Sequence, residues 1–103
     1  MPIVEISVVP VGTGKPSVSK YVANALEVLK KEKDIKYRLT PMGTIIEANS
    51  LKRLLDIARK MHNAVLKREV KRVVTTIKID DRTDKRLSMT GKIRSVKNKM
   101  RDQ

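Results

Sequence analysis

Apolar residues in this chain recur first at every second position and then at helical spacing, and that sequence of periods is run through twice. This double switch restricts the fold more than any other feature. Ile3 to Val9 alternates, with Val4, Ile6 and Val8 on one side and Glu5, Ser7 and Val9 on the other, as a strand requires. Residues 10–16, PVGTGKP, hold two prolines and two glycines and predict a loop. From Ser17 the spacing turns helical through Val18, Tyr21, Val22, Ala25, Leu26 and Leu29. Ser17 is the expected N-cap, and Lys30, Lys31 and Lys33 suit the negative end of the helix dipole.

The pattern then repeats with a hairpin in front. Ile35, Tyr37 and Leu39 alternate with Lys36, Arg38 and Thr40, Pro41-Met42-Gly43 predicts a tight turn, and Thr44 to Ala48 returns as a strand. Asn49-Ser50 caps a second helix whose stripe is Leu51, Leu54, Leu55, Ala58, Met61 and Val65. Val70 to Asp80 predicts a fourth strand with Val73, Thr75, Ile77 and Ile79 on one face. Asp81 to Asp84 is a polar turn. A short basic helix closes the chain along a sparse seam of Leu87, Ile93, Val96 and Met100.

The order β-α-β-β-α-β with a tail helix is the ferredoxin-like arrangement of the α+β class, a single domain over residues 1–103. Right-handed crossovers put both main helices on one face of a four-stranded antiparallel sheet. Alternation then assigns Glu5, Ser7, Lys36, Arg38, Thr40, Ile45, Glu47, Thr76, Lys78 and Asp80 to the other face, expected to be uncovered.

Composition narrows the chemistry. With no Cys, disulfides and thiolate metal sites are excluded. No apolar run approaches a membrane span and MPIVEISVV has no basic leader, so a cytoplasmic protein is expected. The formal net charge is +13, and Arg82 to Gln103 carries eight basic and two acidic residues. A basic half of this kind attracts anions, nucleic acid among them.

VPVGTGKPS invites comparison with a phosphate-binding loop, and the comparison fails. A Walker A loop would need Gly at the position of Val9 and a hydroxyl residue where Pro16 stands. The dinucleotide pattern puts Ser17 where its third glycine belongs. What survives is a loop feeding a helix N-terminus, with Thr13, Lys15, Ser17 and Ser19 at hand for an anion. His62 is the only histidine, which leaves little for a metal site or a triad, and it falls on a helix stripe. Base stacking on the sheet lacks its aromatics: Tyr21 belongs to a helix and Tyr37 alternates with the core side. Phosphate contact by the basic tail remains open.

Four segments, VPVGTGKPSVSKYVANAL, YRLTPMGTIIEA, VVTTIKIDDRTDK and KIRSVKNKM, span nearly the whole chain in order and spacing. Together they resemble the YkoF-like thiamine-binding protein family. The resemblance implies a ferredoxin-like fold, assembly as homo-dimers or homo-tetramers, and non-catalytic binding of thiamine, its hydroxymethylpyrimidine moiety or a phosphate ester, with thiamine a ligand and no cofactor needed.

A cationic thiazolium beside a basic protein would require a local carboxylate. Glu47 is the expected one, with Glu5 or Asp80 on the same face, unless Glu47 pairs with Arg38 across the hairpin. Ser7, Thr44 and Thr76 would supply neutral hydrogen bonds and Met42 a contact to the ring. Thr13 and Ser17 would meet the hydroxyethyl arm or its phosphate, which Lys15 would favour. The alternative is a nucleic-acid-binding protein using its basic C-terminal half; a purely structural oligomer is a third reading.

Overall fold

The computed structural model describes residues 1–66 and 70–101. Its elements are β1 (Ile3–Val11), α1 (Ser19–Lys30), β2 (Lys36–Thr40), β3 (Gly43–Glu47), α2 (Leu51–Leu66), β4 (Arg72–Asp80) and α3 (Met89–Arg101). The strands form one sheet in the order β2-β3-β1-β4, every neighbouring pair antiparallel. This is the expected α+β, ferredoxin-like order with a third helix appended.

The register divides the sheet into two faces. Val4 lies opposite Ile46 and Ile79, and Ile46 opposite Tyr37, so these four share the helix side. Val4, Ile6, Val8 and Ile46 meet Ala25 and Leu29 of α1 and Leu54, Ile57, Ala58, Met61 and Val65 of α2 in one core. Each large side chain buried there contributes about 1.5–3 kcal/mol of transfer free energy, the main term holding the helices to the sheet. The stripe of α2 uses Ile57 rather than Leu55, which is 41% exposed. Leu55 lies one residue past Leu54, about a quarter turn off the face that Leu54, Ala58 and Met61 define.

Several boundaries differ from expectation. Strand β1 continues through Pro10 to Val11, since β4 pairs with it along its full length. Helix α1 starts at Ser19; its N-cap is Val18, which makes no side-chain cap bond, so Ser17 is not the cap. The positive φ of Gly12 and Gly14 turns the chain between β1 and α1, a conformation any side chain would strain. Ser50 does cap α2, its Oγ accepting the Arg53 N–H at 3.2 Å. Strand β4 starts at Arg72, and Val70 is buried ahead of it. Leu87 is buried in the segment before α3 rather than in the helix.

The open face is not uniformly bare. Glu47, on that face, is only 3% exposed, because the first turn of α3 lies beside it. The rest of α3 contributes no buried residue.

Candidate functional site

Two concave regions lie on either side of the sheet. The first follows from a difference in strand length. Strand β1 pairs with β4 from Ile3 to Val11, but with β3 only from Ile3 to Ile6. From Ser7 onward, one edge of β1 has no strand neighbour. Backbone amides and carbonyls there must find other partners, because buried main-chain groups are rarely left unpaired. Pro10, which has no N–H to offer, is tolerated in this half-free stretch.

Beside that edge is a slot of about 250 Å³, walled by Val18 at the N-cap of α1, by Val22 and Ala25 within that helix, and by residues 39–44 of the β2–β3 hairpin. Ile6, Val8 and Met61 add apolar surface. Thr40 fixes the turn: its Oγ1 donates to the Gly43 carbonyl at 2.8 Å and accepts the Gly43 N–H at 3.1 Å. Gly43 brings the turn close to β1, where an added Cβ would stand 3.1 Å from the Ile6 carbonyl oxygen.

The second region is a cleft of about 600 Å³ between the open face and α3. Ile3, Ile45, Met89 and Ile93 give it apolar walls, with Glu5, Arg38, Lys78, Asp80 and Lys92 around them. Two polar ties hold α3 there. Glu47 Oε2 accepts the Met89 N–H at 3.2 Å, and Lys92 Nζ donates to Asp80 Oδ2.

The eight residues singled out from the sequence do not form one constellation. Ser7, Met42 and Thr44 line the slot. Thr13 and Ser17 bond within their own loop, Thr13 Oγ1 donating to the Lys15 carbonyl at 3.1 Å and Ser17 Oγ to Ser19 Oγ at 3.4 Å. Asp80 borders the cleft and is engaged by Lys92. Glu47 lines neither region. The register sets it opposite Lys36 and Ile3, with Arg38 diagonal to it, and among the described residues no ion pair joins Glu47 to Arg38. Thr76 lies directly across from Ser7 and is exposed.

Val18, Val22 and Gly43 were missed as slot residues. Only the PMGT turn signalled them, and nothing local says that the turn approaches α1. His62 packs as a helix residue, its Nδ1 2.6 Å from Thr75 Oγ1. Among the described residues no group of three His, Asp or Glu could hold a metal ion. No described helix is long and apolar enough to cross a membrane.

The chain is thus a two-layer α+β domain with a slot beside a strand edge that no other strand covers. The sequence profile of a family described as "Thiamine-binding protein" matches residues 4–97. The chain belongs to that family. It is 44% identical over 96 residues to a UPF0045 protein of Methanothermobacter thermautotrophicus, covering 93% of this chain and 96% of the relative. The UPF0045 protein YqgV of Bacillus subtilis is 42% identical, with 93% and 94% covered. The crystal structure of a hypothetical protein from Methanocaldococcus jannaschii superposes with a TM-score of 0.83 at 40% identity, over 92% of this chain and 94% of that one. A Thermotoga maritima protein provisionally assigned to thiamine biosynthesis or salvage shares the fold, with a TM-score of 0.77 at 20% identity, over 92% and 97%.

Proposed function

We propose that the protein binds thiamine, its hydroxymethylpyrimidine moiety or a phosphate ester without chemical conversion, the pyrimidine end entering the slot beside β1. The observation that carries this reading is the free edge of β1 from Ser7 onward, facing an apolar slot. An aminopyrimidine presents a ring nitrogen acceptor next to an amino donor. That pair can read a strand edge as a neighbouring strand would. Family membership and the provisional thiamine assignment of the Thermotoga protein support the same ligand class.

Size and charge refine the proposal. Ligand pockets are commonly about 300–1,000 Å³, so a slot near 250 Å³ suits one ring and not the whole of thiamine. The hydroxyls of Ser7 and Thr44 would complete the polar contacts, and Met42, 85% exposed, would fold over the ring. Among the described residues no carboxylate lines the slot. The thiazolium therefore stays toward water, and the free pyrimidine binds about as well as thiamine. Lys15 and its loop would meet a phosphate on the arm. In this reading Glu47 and Asp80 serve α3, and Thr76 serves the open face.

The protein is also proposed to self-associate. Val96 and Met100 on α3 are 60% and 68% exposed, and Val9 and Val74 stand exposed and opposite each other on the open face. In a twofold contact the same surfaces of two copies would meet and take these apolar side chains out of water.

Calorimetric titration at about 0.15 M salt, where the screening length is about 8 Å, tests the ligand. Saturable heat from thiamine and from hydroxymethylpyrimidine is expected. Thr44→Val should weaken both about five- to tenfold, the worth of one hydrogen bond. Absence of heat from folded protein refutes the reading. RNA binding that collapses as salt rises would favour the basic C-terminal half as a nucleic-acid surface.

A further inference from the structure

We propose that the cleft between α3 and the open face is a second, separate binding site, for a small amphipathic anion: an apolar ring or chain bearing a carboxylate, sulfonate or phosphate. Its floor is one row of the sheet. Arg38, Ile45, Glu5 and Lys78 lie side by side across all four strands, so their side chains share the open face. Ile3 and Ile45 from the sheet face Met89 and Ile93 from α3. A body of about 600 Å³ between them would lose its apolar surface to both walls.

The charges set the sign of the ligand. Asp80 is engaged by Lys92, and Glu47 is buried against the α3 amide and does not line the cleft. Among the described residues Arg38, Lys78 and Glu5 have no ion-pair partner within 4.0 Å. Glu5 lies directly opposite Lys78, and such cross-strand pairs of opposite charge attract. Arg38 is left with a planar donor fork that fits an oxyanion, and Thr40 lines the cleft with it. A net charge of +13 adds to the attraction. The cleft and the slot thus have opposite preferences, one for an anion and one for an uncharged heterocycle.

Two fluorescent probes test the site on the full chain: anilinonaphthalene sulfonate, an amphipathic anion, and phenylnaphthylamine, its neutral counterpart. The sulfonate should bind saturably, one per chain, and about tenfold or more tighter than the neutral dye, the worth of a charge-assisted hydrogen bond. Arg38→Gln, at an exposed position that leaves the fold intact by circular dichroism, should remove most of that preference. Ile93→Asp should abolish binding of both dyes. Excess hydroxymethylpyrimidine should displace neither. Equal affinity for the two dyes, or no effect of Arg38→Gln, overturns the proposal. So does displacement by the pyrimidine, which would put the dye in the slot. Dye binding that falls as protein concentration rises also overturns it, since a second copy would then fill the cleft.

Discussion

Glu47 Oε2 accepts the backbone N–H of Met89 at 3.2 Å, so a carboxylate buried on β3 holds the first turn of a helix forty-two residues further along the chain. A negative charge at a helix N-terminus is favoured by the dipole as well as by the hydrogen bond. Glu47→Ala should therefore lower unfolding stability by about 1–2 kcal/mol, the range for losing a cap. Chemical denaturation with circular dichroism measures it. Glu47→Gln keeps an acceptor and should cost less. Because Glu47 does not line the slot, neither change should alter pyrimidine affinity; a large loss would restore Glu47 as a ligand residue.

Glu32 joins the end of α1 to α2. Its carboxylate meets Lys60 Nζ at 2.8 Å and Arg53 Nη2 at 3.3 Å. The Lys60 hydrogen bond, against some burial and helped by the charges of Lys60 and Arg53, holds its pKa below the usual 4.5. A lowered folded pKa makes the stabilisation present above about pH 4.5 and lost as pH falls through the lower folded value. Both cationic partners are partly open to water, so the clamp is worth no more than about 1 kcal/mol. Thermal melts of wild type and Glu32→Gln should differ at neutral pH and converge in acid once pH has fallen below the lowered folded pKa of Glu32.

Met61 lies in the core and also borders the slot. Met61→Ala should destabilise the fold by about 2–5 kcal/mol, as large-to-small core changes do. The same change should enlarge the slot, so the melting temperature and the preference among pyrimidines of different bulk should shift together.

Thr40 Oγ1 bonds both main-chain groups of Gly43 and so sets the position of the slot wall. Thr40→Val keeps the shape and removes the bonds. A loss of about 1–2 kcal/mol is expected from the hydrogen bonds given up, with a several-fold drop in pyrimidine affinity. Thr40→Ser should restore both. Unchanged affinity in Thr40→Val would show that the turn does not shape the binding region.

On α3, Val96→Asp should abolish self-association seen by sedimentation while leaving the far-ultraviolet spectrum of the monomer near native, because Val96 is exposed in the single chain. Persistence of the oligomer would place the contact elsewhere.

The element order, the two faces of the sheet and the N-cap of α2 could be read from the chain because each is a short-range property. Alternation puts Glu5, Arg38 and Lys78 on one face whatever lies above it, and Ser50 satisfies an amide three residues away. The start of α1 was misjudged for a related reason: Ser17 has capping chemistry, but the backbone reaches helical form only after Val18. The placement of the site residues was settled over longer distances. Nothing near Glu47 in the sequence indicates that Met89 will arrive beside it, and Asp80 meets Lys92 only because the segment from 81 to 88 carries α3 back over the sheet. The slot likewise exists because β1 outruns β3, a mismatch between two strands that becomes a cavity only when α1 and the β2–β3 turn close on it. Period and capping act within a few residues and are written locally. Which carboxylate is spent on a helix and which strand edge stays free depend on how distant segments pack, and packing is a property of the folded chain.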